Sequence, residues 1–145
     1  MRVAILDDYL NVALELGDWS GLDGKADLSV FDQPFTDQDE AAKKLADFEI
    51  IVGMRERTPF PADLLKRLPK LKLLVTTGMR NLSFDMEAAK AQGVTVCGTG
   101  AAGQPTAELA WAILLGLACQ IPAHDSGMKA GRWQTKLNGD LGGKT

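Results

Sequence analysis

The sequence predicts an α/β protein built around a doubly wound, parallel sheet of five strands. Between residues 2 and 97, short apolar runs alternate five times with segments of helical spacing. The runs at 49–54 and 71–75 are almost entirely apolar, as expected for strands covered on both faces. Residues 105–118 are apolar around nearly the whole helix circumference, so a second domain or subunit is expected to cover them. Together these observations favour a flavodoxin-like sheet, with strand order 2-1-3-4-5, followed by a long helix.

Capping and breaking residues set the expected bounds of each element. Thr36 is expected to cap the second helix, because a carboxylate follows it three residues later, close to a capping box. Pro69 closes the third helix and Gly93 ends the fourth. The predicted strands are 2–6, 27–31, 49–54, 71–75 and 94–97, and the predicted helices are 10–16, 36–47, 62–68, 85–92 and 105–118.

Two acids follow the first strand directly. Asp7 and Asp8 could bind a cation, but turn and helix-capping roles are the simpler interpretation. A signalling receiver domain would also need an aspartate at the end of the third strand, where this chain has Arg55. The sequence therefore argues against a receiver, and no metal site is expected.

The stretch 71–85 runs from the fourth strand straight into polar, turn-forming residues. Ligands of open α/β sheets bind outside the carboxyl ends of the strands. Gly78 would let the backbone approach a ligand closely, and Arg80 offers a permanent positive charge suited to a carboxylate or phosphate. With Met79 between them, and Arg55 at the end of the third strand, these residues form the candidate binding site. The alternatives are an ordinary surface loop and, for Arg55, surface pairing with Glu56.

A glycine-rich segment follows the fifth strand. Gly98, Gly100 and Gly103 match the GxGxxG spacing of a dinucleotide fingerprint. That fingerprint belongs in the first βα turn of its unit, with an acidic residue after the next strand, whereas here a long helix follows. We therefore interpret these glycines as a flexible connection.

Composition and charge exclude several classes of partner. The net charge is −3 with both signs interspersed, so binding to nucleic acid or to a membrane surface is not expected. The longest apolar run, 109–121, is shorter than the ~20 residues of a membrane span. The N-terminus enters a strand without a signal-peptide pattern, which favours a cytoplasmic location. Cys97 and Cys119 lack metal-binding spacing and are expected to be reduced core thiols, and His124, the only histidine, is interpreted as a polar residue of a connecting helix.

Five segments together resemble the D-isomer-specific 2-hydroxyacid dehydrogenases. They are 55–58 after the third strand, 77–85, 93–96, 105–108 and 131–133. The resemblance implies a substrate-binding domain at 1–103, an interdomain and dimerisation helix region at 104–133, and the start of a nucleotide-binding domain at 134–145.

The resemblance also implies a function and roles for individual residues. In the family, a hydride passes between NAD or NADP and C2 of a small 2-hydroxy or 2-oxo acid. By resemblance, Met79 and Arg80 would donate backbone N–H groups to the substrate carboxylate, Arg55 would lie on the same side, and Thr106 would face the nicotinamide. The helix 105–118 would form a homodimer.

Three positions depart from the family pattern. Arg80 stands where a second glycine is usual, Leu82 where aspartate is frequent, and Cys119 where arginine is frequent. The family's catalytic arginine, glutamate and histidine lie in its nucleotide-binding domain, which it enters near 142–145, so no catalytic residue and no activity are expected of this chain alone. The alternatives are a stand-alone module that binds small carboxylates without catalysis and a structural dimerisation unit.

Overall fold

The computed structural model describes residues 1–100, 103–139 and 141–143. The chain divides into two units, Met1–Ala101 and Ala102–Thr145, and each is described by itself. The entry expected at 142–145 and the connection expected after Gly98 fall partly on Ala101, Ala102, Lys144 and Thr145, which lie outside the described residues.

Unit 1 contains a five-stranded parallel sheet with strand order β2-β1-β3-β4-β5, which confirms the predicted fold class. The first four strands are one or two residues shorter than the apolar runs that predicted them, and the fifth has the predicted length but begins one residue later. The strands are β1 (Arg2–Ile5), β2 (Asp27–Val30), β3 (Ile50–Gly53), β4 (Leu73–Thr76) and β5 (Thr95–Gly98).

Helices connect the strands of unit 1. They are α1 (Ala13–Leu16), α2 (Gln38–Leu45), α3 (Ala62–Leu65) and α4 (Met86–Ala91), with a 3₁₀ turn at Ser20–Leu22. Helix α1 is shorter than predicted because Asn11 adopts a left-handed conformation, with φ of 52°, and Leu10 lies in the preceding turn.

The cap of α2 is one residue later than predicted. Asp37 Oδ1 accepts the Glu40 N–H at 2.8 Å, whereas Thr36 donates its own N–H and O–H to Glu40 Oε2, at 2.7 and 2.8 Å. The hydrogen bond from Lys44 and those from Thr36 lower the pKa of Glu40 from 4.5 to about 2. Thr36 therefore supports the cap from outside the helix.

One hydrophobic cluster joins the sheet to the helices. Helices α2, α3 and α4 bury one apolar side each against strand residues such as Ile51 and Leu74, both fully buried. Phe60 is also fully buried and packs edge-to-face on Phe84, with ring centroids 5.2 Å apart. This aromatic pair anchors the segment after β4 to the segment after β3.

The prediction that both cysteines are core thiols is wrong. Strand β5 is the edge of the sheet, and its Cys97 side chain is exposed, because no described element covers that side of the strand. Cys119 is half-buried at the end of the long helix.

Unit 2 contains two helices, α5 (Gln104–Ala118) and α6 (Ile121–Lys129), bent by 62° at the break between them. Gln120 adopts a left-handed conformation there, and Pro122 lies in the first turn of α6, where its missing N–H costs nothing. Among the described residues, no single helix is long and apolar enough to cross a membrane, although the bent pair together has the length and composition to do so.

Candidate functional site

The carboxyl ends of three neighbouring strands bring the candidate residues of unit 1 together. In the register of the sheet, Gly53 of β3 lies beside Thr76 of β4, which lies beside Gly98 of β5. The loops that begin after these three residues therefore start side by side at one edge. Two of these loops carry the residues predicted from the sequence, and the third was expected to be a connection.

The loop after β4 is held to the loop after β5. Gly78 has φ of 121°, a conformation that disfavours residues with a Cβ, and its N–H donates to Thr99 Oγ1 at 2.9 Å. In return, the Thr99 N–H is shared between the carbonyl oxygens of Thr76 and Gly78, at 3.2 and 3.1 Å. These bonds fix the backbone of Gly78.

Met79, Arg80 and Asn81 carry backbone N–H groups without a hydrogen-bond partner among the described residues. The Met79 side chain is 73% exposed, and Arg80 is exposed as well. Successive backbone N–H groups that no other described residue uses are available to hydrogen-bond an anion.

Arg55 adds a positive charge to the same loop. A Cβ built on Gly78 would lie 2.7 Å from Arg55 Nη1, so the guanidinium packs directly against the Gly78 backbone. Within the part of the chain that the structure describes, Arg55 forms no ion pair with Glu56 or with any other acid. The Arg55 side chain therefore lies at the loop after β4, and the alternative of a surface pair with Glu56 is not observed among the described residues.

The backbone of Arg55 is strained. Its φ of 56° is left-handed, which costs a non-glycine residue roughly 1–2 kcal/mol. Its N–H donates to Thr77 Oγ1 at 3.2 Å, and its carbonyl accepts from Asn81 Nδ2. Such strain persists only where the surroundings hold it in place, and it is often found at ligand sites.

Arg80 lines a cavity of about 290 Å³ beside the loop. Its guanidinium makes no ion pair among the described residues, and Met79, Leu82 and Met86 contribute exposed apolar side chains. The lining consists of Thr76, Met79, Arg80, Asn81, Leu82, Phe84, Met86, Val96, Cys97 and Gly98.

Thr106 belongs to unit 2. It occupies the first turn of α5, it is exposed, and its hydroxyl makes no hydrogen bond to another described residue. The unit also has its own cavity of about 790 Å³, where His124 Nε2 lies 2.7 Å from Asn138 Oδ1. That histidine has no carboxylate partner among the described residues, in keeping with its interpretation as a polar helix residue.

The acids after β1 are satisfied by the protein itself. Asp7 is buried and accepts a hydrogen bond from Thr58 Oγ1 at 2.9 Å, while Asp8 Oδ2 accepts the Ala13 N–H at 2.8 Å. Partial burial and the adjacent Asp7 charge raise the pKa of Tyr9. Asp8 thus fits the capping interpretation, whereas Asp7 is bonded to the loop after β3 and not to a helix N-terminus. No group of three or more potential metal ligands occurs in the described ranges.

The structural roles of Gly98 and Thr99 were not predicted from the sequence. A Cβ on Gly98 would lie 2.6 Å from the Gly78 carbonyl oxygen, so this glycine allows close packing of two loops and is not a flexible connection. The sequence carried one usable signal, since Gly98 and Thr99 directly follow a strand that ends at the same edge.

The comparisons with known proteins agree on one family. The family model described as "D-isomer specific 2-hydroxyacid dehydrogenase, catalytic domain" matches residues 3–136. D-3-phosphoglycerate dehydrogenase of Rattus norvegicus is 32% identical over 121 residues, which cover 81% of this chain and 22% of the relative.

Solved structures extend the comparison. Phosphoglycerate oxidoreductase from Vibrio cholerae superposes with a TM-score of 0.82 at 37% identity, over 98% of this chain and 44% of that one. D-lactate dehydrogenase from Escherichia coli, with a TM-score of 0.76 at 20% identity over 97% of this chain and 45% of that one, shows the shared fold alone. This chain thus spans 22% of its rat relative and less than half of these two structures.

Proposed function

Because this chain belongs to the D-isomer-specific 2-hydroxyacid dehydrogenase family, we propose that unit 1 binds the carboxylate of a small 2-hydroxy or 2-oxo acid for an oxidoreductase. The observation that carries this proposal is that the N–H groups of Met79 and Arg80, which have no partner among the described residues, directly follow Gly78, against which the Arg55 guanidinium packs. A carboxylate has two acceptor oxygens, which suit two adjacent N–H donors, and a nearby fixed positive charge strengthens both bonds.

The arrangement would fix the orientation of the acid. Binding through the carboxylate leaves C2, the carbon that is oxidised or reduced, directed away from the loop. Holding a reactant in one orientation removes much of the entropic cost of the reaction that follows. The role of unit 1 is therefore positioning, and none of its residues is proposed as a proton donor or acceptor in the reaction.

The described residues do not build a cradle for a dinucleotide. Gly98 belongs to strand β5, and a side chain there would clash with the Gly78 carbonyl oxygen. Gly103 is the N-cap of α5 and has an ordinary φ of −75°. We propose that NAD or NADP, which supplies or accepts the hydride when bound, is held mainly by a region that corresponds to the parts of the relatives not spanned by this chain. Thr106 is the contact proposed on this chain. On this proposal the purified chain alone does not oxidise NADH in the presence of a 2-oxo acid.

Replacing Arg55 with alanine should weaken binding of pyruvate, used here as a simple 2-oxo acid, by about tenfold, since one charge-assisted contact is lost. Equilibrium dialysis of the purified chain measures this affinity. Arg67→Ala is the matched control, because Arg67 is an exposed arginine already paired with Asp39 at 2.7 Å.

The control variant should bind as the unmodified chain does. Equal pyruvate affinities of the Arg55→Ala variant and the unmodified chain would contradict the proposed site. A different outcome is that pyruvate binds at this site but nicotinamide cofactors do not change its affinity, even when the chain is joined to the parts of the relatives that it does not span. A stand-alone carboxylate-binding module then becomes the better description.

We also propose that α5 pairs with a second copy of this chain. Its apolar side chains are largely exposed in the single chain: Leu109 by 61%, Ile113 by 54% and Leu117 by 70%, and these three recur every fourth residue on one helix face. Exposed contiguous apolar surface of this kind marks an interaction surface in soluble proteins.

A charge placed on that face should break the pair. We expect Ile113→Glu to convert a dimer to a monomer in sedimentation equilibrium, because a carboxylate buried in an apolar interface is costly. Leu10→Glu is the control, since Leu10 is 81% exposed but lies in unit 1. A monomeric unmodified chain, or a dimer that survives Ile113→Glu, would refute pairing through α5.

A further inference from the structure

Asn81 links the two loops of the candidate site through every hydrogen-bonding group of its side chain. Its Nδ2 donates to the Arg55 carbonyl oxygen and, at 3.0 Å, to Thr76 Oγ1. Its Oδ1 accepts the N–H and the O–H of Ser83, at 2.9 and 2.6 Å. An amide has two donor hydrogens and two acceptor lone pairs, so this side chain is fully used.

Only one orientation of the amide fits these partners. With Oδ1 and Nδ2 exchanged, an oxygen would face the Arg55 carbonyl oxygen and an NH₂ group would face the Ser83 N–H. Both pairs would repel, so the network itself assigns the orientation. The donor half of Asn81 thus reaches across to the β3 loop, and the acceptor half serves its own loop.

The donor half meets Arg55 at its strained residue. Arg55 is left-handed, with φ of 56°, and its two backbone polar groups are both held by side chains from the segment after β4, namely Thr77 and Asn81. The guanidinium of Arg55 packs on Gly78, the residue before the unpaired N–H groups of Met79 and Arg80. The position of the charge therefore depends on a backbone conformation that side chains from another loop maintain.

We infer that Asn81 is a positioning residue for carboxylate binding: it holds Arg55 in its left-handed conformation and so keeps the guanidinium against Gly78, which precedes the N–H pair. This inference rests on the proposed function for the identity of the ligand. The Asn81 side chain, whose hydrogen-bonding groups are all used, does not touch the acid. It acts through Arg55, and its donor hydrogens, not its acceptor oxygen, carry the role.

Two variants separate the donor half from the acceptor half. Asn81→Ser keeps a hydroxyl oxygen that accepts the Ser83 N–H, as in a serine turn, but cannot reach the Arg55 carbonyl, and it adds no charge. Asn81→Asp keeps the shape and the acceptor oxygen and loses both donors. If one variant fails to fold, the other still tests the inference.

The first readout needs no ligand. In both variants, the backbone carbon resonances of Arg55 should move away from left-handed values, while those of Ser83 stay close to their values in the unmodified chain. Arg55 resonances that are unchanged in a folded variant would overturn the inference, whether or not pyruvate binds.

The second readout is pyruvate affinity in a double-mutant cycle. Asn81→Ser should weaken binding by about tenfold, close to Arg55→Ala, and the double variant should be no weaker than Arg55→Ala alone. If Asn81→Ser weakens pyruvate binding by a further tenfold in the Arg55→Ala background, then Asn81 acts on the loop as a whole. That result would overturn the role assigned to it through Arg55. Failure of the unmodified chain to bind pyruvate overturns the proposed function itself, and the Arg55 resonances then still decide whether Asn81 holds that residue.

Discussion

Replacing Gly98 with alanine should disrupt the candidate site. The added Cβ would lie 2.6 Å from the Gly78 carbonyl oxygen and 3.1 Å from Met79 Cα. Both are backbone atoms and cannot rotate away, so either the end of β5 or the Gly78–Met79 loop must shift. Overpacking of this kind costs typically 1–3 kcal/mol, and the shift should also lower pyruvate affinity at least tenfold.

The matched control for this change is Gly100→Ala. Gly100 lies two residues further along the chain and does not have a positive φ, and no atom of the described residues lies within 4 Å of a Cβ built on it. Urea unfolding gives the free energy of unfolding of both variants, and titration gives their pyruvate affinities. An effect confined to Gly98→Ala is due to the clash with Gly78, whereas an effect shared by both variants is due to the loss of a glycine. Unchanged affinity in Gly98→Ala would show that the contact with Gly78 does not shape the site.

Replacing Phe60 with alanine should give the largest loss of stability. Its ring is fully buried and packs edge-to-face on Phe84, whereas its backbone N–H donates to the Ser83 carbonyl at 2.9 Å and its own carbonyl accepts the Asp85 N–H at 3.0 Å. The variant keeps both backbone bonds and loses only the ring. Removal of a buried phenylalanine ring costs about 3–5 kcal/mol, a large share of the ~5–15 kcal/mol that stabilises a domain.

Thermal unfolding measures this loss. At about 4–8 °C per kcal/mol for a domain of this size, the midpoint should fall by roughly 12 °C or more. Leu82→Ala is the control, because Leu82 lies in the same segment but is 90% exposed, and its loss should stay within about 0.5 kcal/mol. A drop of only a few degrees for Phe60→Ala would mean that the Phe60–Phe84 pair does not anchor the segment after β4.

The fold, and the strand ends at which the candidate residues lie, were largely readable from the sequence. Alternating apolar runs predicted the strand order, and the polar residues at the ends of the third and fourth runs predicted where Arg55 and Gly78 meet. Apolar periodicity can be read from neighbouring residues in the sequence. The meeting of polar loops at the carboxyl ends of the strands is a general property of parallel sheets.

The remaining features depend on contacts between distant segments. The bond from the Gly78 N–H to Thr99 and the bond from Asn81 to the Arg55 carbonyl join residues 21 and 26 positions apart, and they depend on the register of neighbouring strands. A sequence pattern does not give that register. The exposure of Cys97 is different, because the predicted order already placed the fifth strand at the sheet edge and could have warned against a core thiol.

The central claim is that the N–H groups of Met79 and Arg80 hold the carboxylate of a 2-hydroxy or 2-oxo acid. The most direct test is a pyruvate titration followed on the backbone amide resonances of the purified chain. If the carboxylate binds there, the amides of Met79 and Arg80 should shift most and saturate together, with a smaller change at Gly78, whose N–H is already bonded to Thr99. Shifts centred on α5 and α6, or no saturable shift at Met79 and Arg80, would contradict the claim.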